Sequence, residues 1–597
     1  MILAGLLFSS IIFIFGFSYF MGENNSKLPK QFIKREKVDI NTNRISIERD
    51  RYSIKKVPTN LDTIVIGSGI GGLSTAAFLA KTGKKVLVLE QHYIAGGCTH
   101  SFEEKGVEHE TGIHYIGNIE KRQKVLDLIT KEKIEWCQMG RDNDNIYDEI
   151  VINDEKYYFR TGTQNFIKDM IEYFPNDKNA IIKYVEIVKK VSQKDLFFNM
   201  KIVKPLWLQR ILALFISKEY HKYVNTSAYD IIKELTSNEK LIAVLCGQFG
   251  DYGPPPKKAS FFVHASIVNH YLEGGYFPKG GTSVIAKNII PIIEEAGGRV
   301  LVGKGVKKIL TEKHNTPIKS WENAIGIVME NGDEIYAKNI ISDVGLRNTF
   351  KKLLTHTVTK FPIYENLLDN IPESTSFVYL FVNLEGDKDE LELKSSNIWV
   401  WPDKDYDKMI EVYSENPYKN PMPMFIACSC AKDDTWKERF PGKSNAIVLT
   451  MAKKEWFKNW ENERCMHRGH SYNDIKNIFA ERMLEEGLYK FYPKTRGKVT
   501  HFDIGTPLTN QFYIGAYNGE AYGLDSTPYR YSKAISLRPE TDVKNLYLTG
   551  QDICTLGFTG ALMGGVLTAS SVLGYGNIID IMSGRNLIND LINLENN

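Results

Sequence analysis

The sequence predicts an α/β protein of two interleaved domains, and three observations carry that prediction. At 597 residues the chain is too long for a single hydrophobic core. Between residues 61 and 90 a strand, a glycine-rich turn, a helix and a second strand follow one another, the unit from which a Rossmann-type layer is built. Two later blocks, 275–345 and 545–575, carry the same mixture of apolar strand bursts, glycine turns and small-residue helices. Together these give a discontinuous nucleotide-binding domain over 61–129, 266–349 and 501–580. The stretches between, 130–265 and 350–500, are rich in aromatics and charges and are assigned to an α+β substrate-binding domain, with a tail at 581–597.

Taken in order, residues 1–22 contain no charged side chain and match the ~20 apolar residues that a bilayer crossing needs. They have no basic n-region and no clear small-residue cleavage site, so an uncleaved N-terminal hydrophobic helix is preferred to a signal segment. Lys27, Lys30, Lys34, Arg35 and Lys37 follow. Behind an anchor this bias puts the bulk of the chain in the cytosol; behind a signal it lies in the lumen, and the sequence leaves sidedness open. Residues 23–60 are polar and without apolar periodicity, a linker. Asp62–Gly67 is a short apolar burst of the kind a doubly covered parallel strand requires. Gly69–Gly83 is Ala- and Leu-rich, with Gly83 suited to the helix C-cap, and Lys84–Glu90 is the second strand. Further on, Glu330-Asn331-Gly332-Asp333 predicts a hairpin between Ala324–Met329 and Glu334–Ile341.

Composition excludes several classes. A formal charge of +3 over this length gives no basic footprint for nucleic acid. Seven cysteines without a CxxC pair argue against a disulfide framework and are expected as small buried hydrophobes. The twelve histidines form no HExxH and no zinc-spaced array, so no metal site is assigned.

The chemistry lies in Gly67-Ser68-Gly69-Ile70-Gly71-Gly72. A bare GxGxxG is weak; here a strand precedes it, a helix follows, and Glu90 closes the second strand about 20 residues on. Gly67 permits the tight turn, Gly69 lets the backbone approach a diphosphate, and Gly72 allows helix and strand to pack closely. The diphosphate sits at the helix N-terminus, with Ile70 and Gly71 in the first turn. Glu90, with Gln91 beside it, accepts ribose hydroxyls and repels a 2′-phosphate, which suits FAD or NAD over NADP. Gly96-Gly97-Cys98-Thr99-His100-Ser101 continues the contact beyond the ribose, which favours the larger FAD, with Gly97 and Cys98 nearest. Thr111, in the loop Glu110–Tyr115, extends the same path. His114 is either close to the flavin ring or a satisfied structural residue.

The segment VIGSGIGGLSTAAFLAKTGKKVLVLEQHYIAGGCTHSFEEKGVEHETGIHYIG resembles the N-terminal flavin motif of the all-trans-retinol 13,14-reductase (retinol saturase) family, within the carotenoid and retinoid FAD oxidoreductases of the phytoene desaturase type. Also similar are DDTWKERFP at 433–441, EWFKNW at 455–460, PLTNQFYIGAYNGEAYG at 507–523 and NLYLTGQDICTLGFTGAL at 545–562, so the likeness spans about residues 55–575. The GGCTH loop departs slightly, where relatives tend to carry a second Cys. The resemblance implies a glutathione reductase/amine oxidase-like FAD-binding domain and FAD contacts at Gly67, Gly69, Gly72, Glu90, Gly97, Val306, Gly550, Gln551 and Asp552. It implies saturation of the C13=C14 bond of all-trans-retinol, and residence at the endoplasmic reticulum membrane. His114, Tyr115 or a residue of Tyr513–Tyr522 is the expected proton donor. One GxGxxG leaves no second nucleotide domain, so either NAD(P)H uses the flavin cavity or an external electron donor reduces the flavin. Pro205–Ile216, flanked by lysines, reads as a core helix or as a membrane-dipping helix that admits an apolar polyene. The alternatives are a carotenoid isomerase or desaturase on the same fold and, more distantly, a prenyl-binding escort protein without a working flavin site.

Overall fold

The computed structural model describes residues 46–192, 201, 206–214, 216–317, 319–354, 362–533 and 536–574. The expected hydrophobic segment 1–22, residues 23–45 of the linker, the tail 581–597 and Pro205 and Phe215 of the apolar run lie outside them. Among the described residues no helix is long and apolar enough to cross a membrane.

The nucleotide-binding layer is built on β1 (Thr63–Ile66), α1 (Ile70–Lys81), β2 (Val86–Leu89), β3 (Arg299–Leu301), β4 (Asn339–Ser342), β5 (Leu546–Leu548) and α2 (Gly557–Leu573). The five strands form one parallel sheet in the order β3-β2-β1-β4-β5. Each residue of β1 and β2 is buried, because helices cover one face and an antiparallel meander the other; this is why their apolar residues run on without alternation. α1 lies against α2, and all its residues but Lys81 are buried. Small residues make that approach possible: Thr75 Oγ1 sits 3.0 Å from Thr549 Oγ1, and a Cβ on Gly565 would collide with Ser74. Gly83, at φ +79°, takes the left-handed position that ends α1.

The meander comprises Val306–Asn315, Ser320–Met329 and Glu334–Tyr336. Its second turn is the Asn331-Gly332 hairpin, with Gly332 at φ +92°. The run Glu334–Ile341, expected as one strand, is two. Glu334–Tyr336 ends the meander, Ala337 and Lys338 carry the chain across, and β4 begins at Asn339 in the parallel sheet. Both pieces are short and carry isoleucine at their centres, and no glycine or proline lies between them to mark the break.

The second domain is organised around a seven-stranded sheet, in the order Val499–Gly505, Ser376–Glu385, Lys443–Ala452, Met424–Ala427, Asn397–Trp401, Ile146–Ile152, Glu155–Arg160. All neighbours are antiparallel except Asn397–Trp401 beside Ile146–Ile152. Val499–Gly505, which straddles the boundary expected at 501, is an edge strand here. Ser376–Glu385 and Lys443–Ala452 are buried on both faces apart from one terminal residue each.

Candidate cofactor and substrate site

One cavity of about 780 Å³ joins the two domains. At one end it is lined by backbone: Gly67, Gly69, Ile70 and Gly71 from the turn into α1, Gly97 and Cys98, Val306 at the start of the meander, and Gly550-Gln551-Asp552 after β5. At the other end it is lined by rings, among them Phe377, Tyr379, Trp399, Phe425 and Tyr522. Glu90, Gln91, Thr111 and His114 line it as well, Glu90 against Ser68 at the glycine end. Gly72 faces away from it; a Cβ there would strike the carbonyl of Gly67, as a packing glycine's would.

The glycine end is intolerant of side chains. A Cβ on Gly71 would lie 2.6 Å from Cα of Gly550, and one on Gly97 2.9 Å from Cα of Gly69. Gly550 has φ +87°, a conformation that few other residues adopt. Glu90 is buried and held: Oε2 accepts from the Ser68 amide at 3.0 Å and its hydroxyl at 2.7 Å, and Oε1 accepts from the His92 amide at 2.8 Å. Burial raises its pKa against these donors. Asp552 Oδ2 accepts from Leu346 N–H at 2.8 Å and Oδ1 from Leu524 N–H at 3.1 Å, so it braces three segments where they meet the cavity. Gln551 Oε1 accepts from Gly557 N–H at 3.1 Å, fixing the start of α2. Thr111 donates to the carbonyl of His100 at 2.9 Å. Cys98 is exposed and lines the cavity, where most of the cysteines are buried.

Asp343, immediately after β4, was not singled out by the sequence. Its carboxyl lies within the glycine cradle: a Cβ on Gly69 would come to 2.7 Å from Oδ2, and one on Gly71 or Gly550 to 2.5 Å from Oδ1. Burial, reinforced by the nearby charges of Glu90 and Asp552, raises it to about 8. At neutral pH it therefore presents a largely neutral acid, which opposes a diphosphate less than a carboxylate would. Only the strand order, which sets β4 beside β1, could have pointed to it.

His114 lines the cavity, with Nδ1 3.5 Å from Glu110 Oε1 and its carbonyl bonded to Lys432 Nζ at 2.8 Å. Burial opposes ionisation of Glu110, but His114 and Lys432 outweigh it and bring it to about 2. Tyr115 does not line the cavity. Its ring stacks on Tyr271 at 4.1 Å and its hydroxyl lies between two carboxylates, 3.0 Å from Asp148 Oδ2 and 2.7 Å from Asp251 Oδ2. Of Tyr513–Tyr522, Tyr513, Tyr517 and Tyr522 line the cavity, and Tyr522 donates to the carbonyl of Gly250 at 3.2 Å. No group of three or more metal-ligating side chains occurs among the described residues.

A family model described as an NAD(P)-binding Rossmann-like domain matches residues 65–131. An all-trans-retinol 13,14-reductase of Danio rerio is 39% identical over 547 residues, covering 87% of either chain. The chain belongs to the all-trans-retinol 13,14-reductase family. That family also holds a Danio rerio protein named as inactive, 34% identical over 547 residues and covering 89% of either chain, so activity has to be carried by the site and not by membership. Chloroplastic prolycopene isomerases stand further off, at 24% identity over 530 residues for one from an Oncidium hybrid cultivar, covering 84% of this chain and 82% of that one. In structure the chain resembles cyclohexylamine oxidase from Brevibacterium oxydans, with a TM-score of 0.55 at 14% identity, covering 88% of this chain and 99% of that one. The family thus builds its site on an oxidoreductase fold shared with amine oxidases, with the parallel sheet beneath the glycine end.

Proposed function

We propose that the protein is an FAD-dependent oxidoreductase that saturates the C13=C14 bond of all-trans-retinol or a closely related polyene. The observation that carries this reading is the continuity of the cavity from a side-chain-free cradle to a ring-lined slot. A dinucleotide and an elongated apolar molecule can lie in it end to end, with their reactive parts meeting where Cys98, His114 and Tyr522 face the space. Bound there, a reduced flavin supplies two electrons and one hydrogen to the alkene. The chain's residues do the rest. Gly67, Gly69, Ile70, Gly71 and the Gly550–Asp552 turn would hold the diphosphate side, Glu90 the ribose, and Val306 the adenine side. The rings align the polyene and keep water from it.

The helix Leu206–Ala213 supports entry from a membrane surface. Trp207 and Ile211 are 61% and 45% exposed, and Leu214 just beyond it 82%. Large apolar residues side by side on a surface helix suit the headgroup boundary of the endoplasmic reticulum membrane. The electron donor is NAD(P)H reaching the flavin through the cavity, or an external reductant.

Anaerobic mixing of pre-reduced enzyme with all-trans-retinol tests the function: the flavin reoxidises, polyene absorbance falls and product mass rises by two hydrogens. Unchanged product mass supports an isomerase in its place, a loss of two hydrogens with the oxidised enzyme a desaturase, and purified protein without flavin colour a prenyl-binding escort.

A further inference from the structure

Resting on the reductase reading, we infer that Asp251 is the proton donor of the reaction, held by Tyr115 and backed by Asp148. The Tyr115 hydroxyl has one hydrogen and lies within bonding distance of two carboxyl oxygens, Asp148 Oδ2 at 3.0 Å and Asp251 Oδ2 at 2.7 Å. It can donate to only one. The other contact is a hydrogen bond only if that carboxyl carries a proton and donates it to the tyrosine oxygen.

Which acid is protonated follows from the other donors. Asp148 accepts from Gln248 Nε2 at 2.7 Å and from Asn397 Nδ2 at 2.9 Å. Asn397 in turn accepts from Lys432 Nζ at 2.6 Å, which turns its amide hydrogens toward Asp148. Asp251 receives no side-chain donor but Tyr115 among the described residues. Asp148 is therefore the site provided for a carboxylate, and Asp251 the one that keeps its proton. Burial acts in the same direction, raising Asp251 well above the ordinary carboxylate range and Asp148 only to about 6. The groups that face Asp251 are Asp148, Lys432, Tyr115, Tyr147, Tyr271 and Tyr522.

Of the three members of this chain, Asp251 alone lines the cavity, beside Gly250, and Tyr522 closes over the Gly250 carbonyl. The position suits its role. The Asp251 O–H leaves the Tyr115 oxygen and turns into the cavity, where it breaks as a C–H bond forms on one alkene carbon, and the electron pair stays behind as carboxylate. A flavin held in its reduced form at the glycine end would supply the other carbon with its hydrogen and the two electrons. Asp251 then turns acceptor, Tyr115 donates to it, and solvent returns the proton between turnovers.

Two measurements test this. In the flavin-loaded protein at neutral pH, without turnover, infrared spectroscopy is expected to show a protonated carboxyl band that Asp251→Asn removes; no such band, or one untouched by the substitution, overturns the assignment. In anaerobic single turnover with all-trans-retinol, Asp251→Asn is expected to slow flavin reoxidation by roughly 10²-fold or more while flavin content and retinol binding stay at wild-type levels. A wild-type rate in that variant overturns the assignment and leaves the reductase reading standing. A wild-type enzyme that no polyene reoxidises sinks the reductase reading and the donor with it, whatever the infrared shows.

Discussion

The two ends of the cavity are built by opposite means. The glycine end is made of backbone drawn from four stretches of chain, and what matters there is the absence of side chains. The ring end is made mostly of side chains on a seven-stranded sheet whose members come from residues 146–505, with Tyr522 added from beyond it. A backbone site demands specific residues at specific spacings, because Gly71 and Gly550 meet too closely for any Cβ. A ring-lined slot demands only volume and apolarity, which many sequences meet. Cofactor binding and substrate binding should therefore be separable by mutation, and the sharpest way to break the comparison is to find that they are not.

The largest effect is expected at the backbone end. In Gly71→Val a Cβ lies 2.6 Å from Cα and 2.8 Å from N of Gly550, and neither backbone atom can swing aside. Flavin per purified polypeptide, read from absorbance, should fall at least about tenfold, equal to ~1.4 kcal/mol or more of lost binding. Retinol quenching of the tryptophan fluorescence should persist. If both are lost together, the two ends are one cooperative unit.

Next is Phe425→Ala at the ring end. Phe425 is buried, 4.5 Å centroid to centroid from Trp399, and lines the cavity. Removing it should cost ~3 kcal/mol of stability and raise the retinol KM, since a buried Phe→Ala leaves an unfilled hole. Flavin content should not change, and thermal unfolding with flavin absorbance checks both.

How much of this was legible follows the same division. Gly67 to Gly72 and Glu90 could be read because the turn into a helix leaves a fixed spacing of glycines before a carboxylate, whereas Gly550 to Asp552 came from the family resemblance. All of them converge except Gly72, whose task is packing. The break between Glu334–Tyr336 and β4 was invisible, because two short strands joined by Ala337-Lys338, with no glycine or proline, look like one. Asp251, Asp148, Lys432 and Asn397 were invisible for a different reason. They are single polar residues on separate elements, and only the pairing of Asn397–Trp401 with Ile146–Ile152 brings Asn397 to Asp148. Tyr115 was noticed, but its place behind the cavity wall depends on Tyr271, which lies on a helix far along the chain.

A smaller effect is expected from Glu90→Gln. The substitution keeps the shape and one acceptor, but it cannot accept from Ser68 and His92 together. Flavin affinity, measured by fluorescence titration of stripped protein, should weaken about tenfold, ~1.4 kcal/mol. Discrimination against a ribose 2′-phosphate should relax, since the repelling charge is gone.

The smallest effect is the most specific to the backbone end. Asp343 stands in the glycine cradle with its pKa raised to about 8, by burial first and by Glu90 and Asp552 second. Below that value it is neutral and a diphosphate meets no opposing charge. Above it the carboxylate ionises, and binding must either place two anions together or take up a proton. Flavin binding should therefore weaken as pH rises through about 8, with the dissociation constant climbing toward about tenfold per pH unit at the limit of one proton taken up. Asp343→Asn removes the titrating group while keeping an acceptor for the Gly69 and Gly72 amides, so its affinity should be flat across the same range and equal to wild type at neutral pH. A wild-type profile equally flat would mean that the diphosphate does not lie against Asp343, and the placement of the cofactor along the cavity would have to be redrawn.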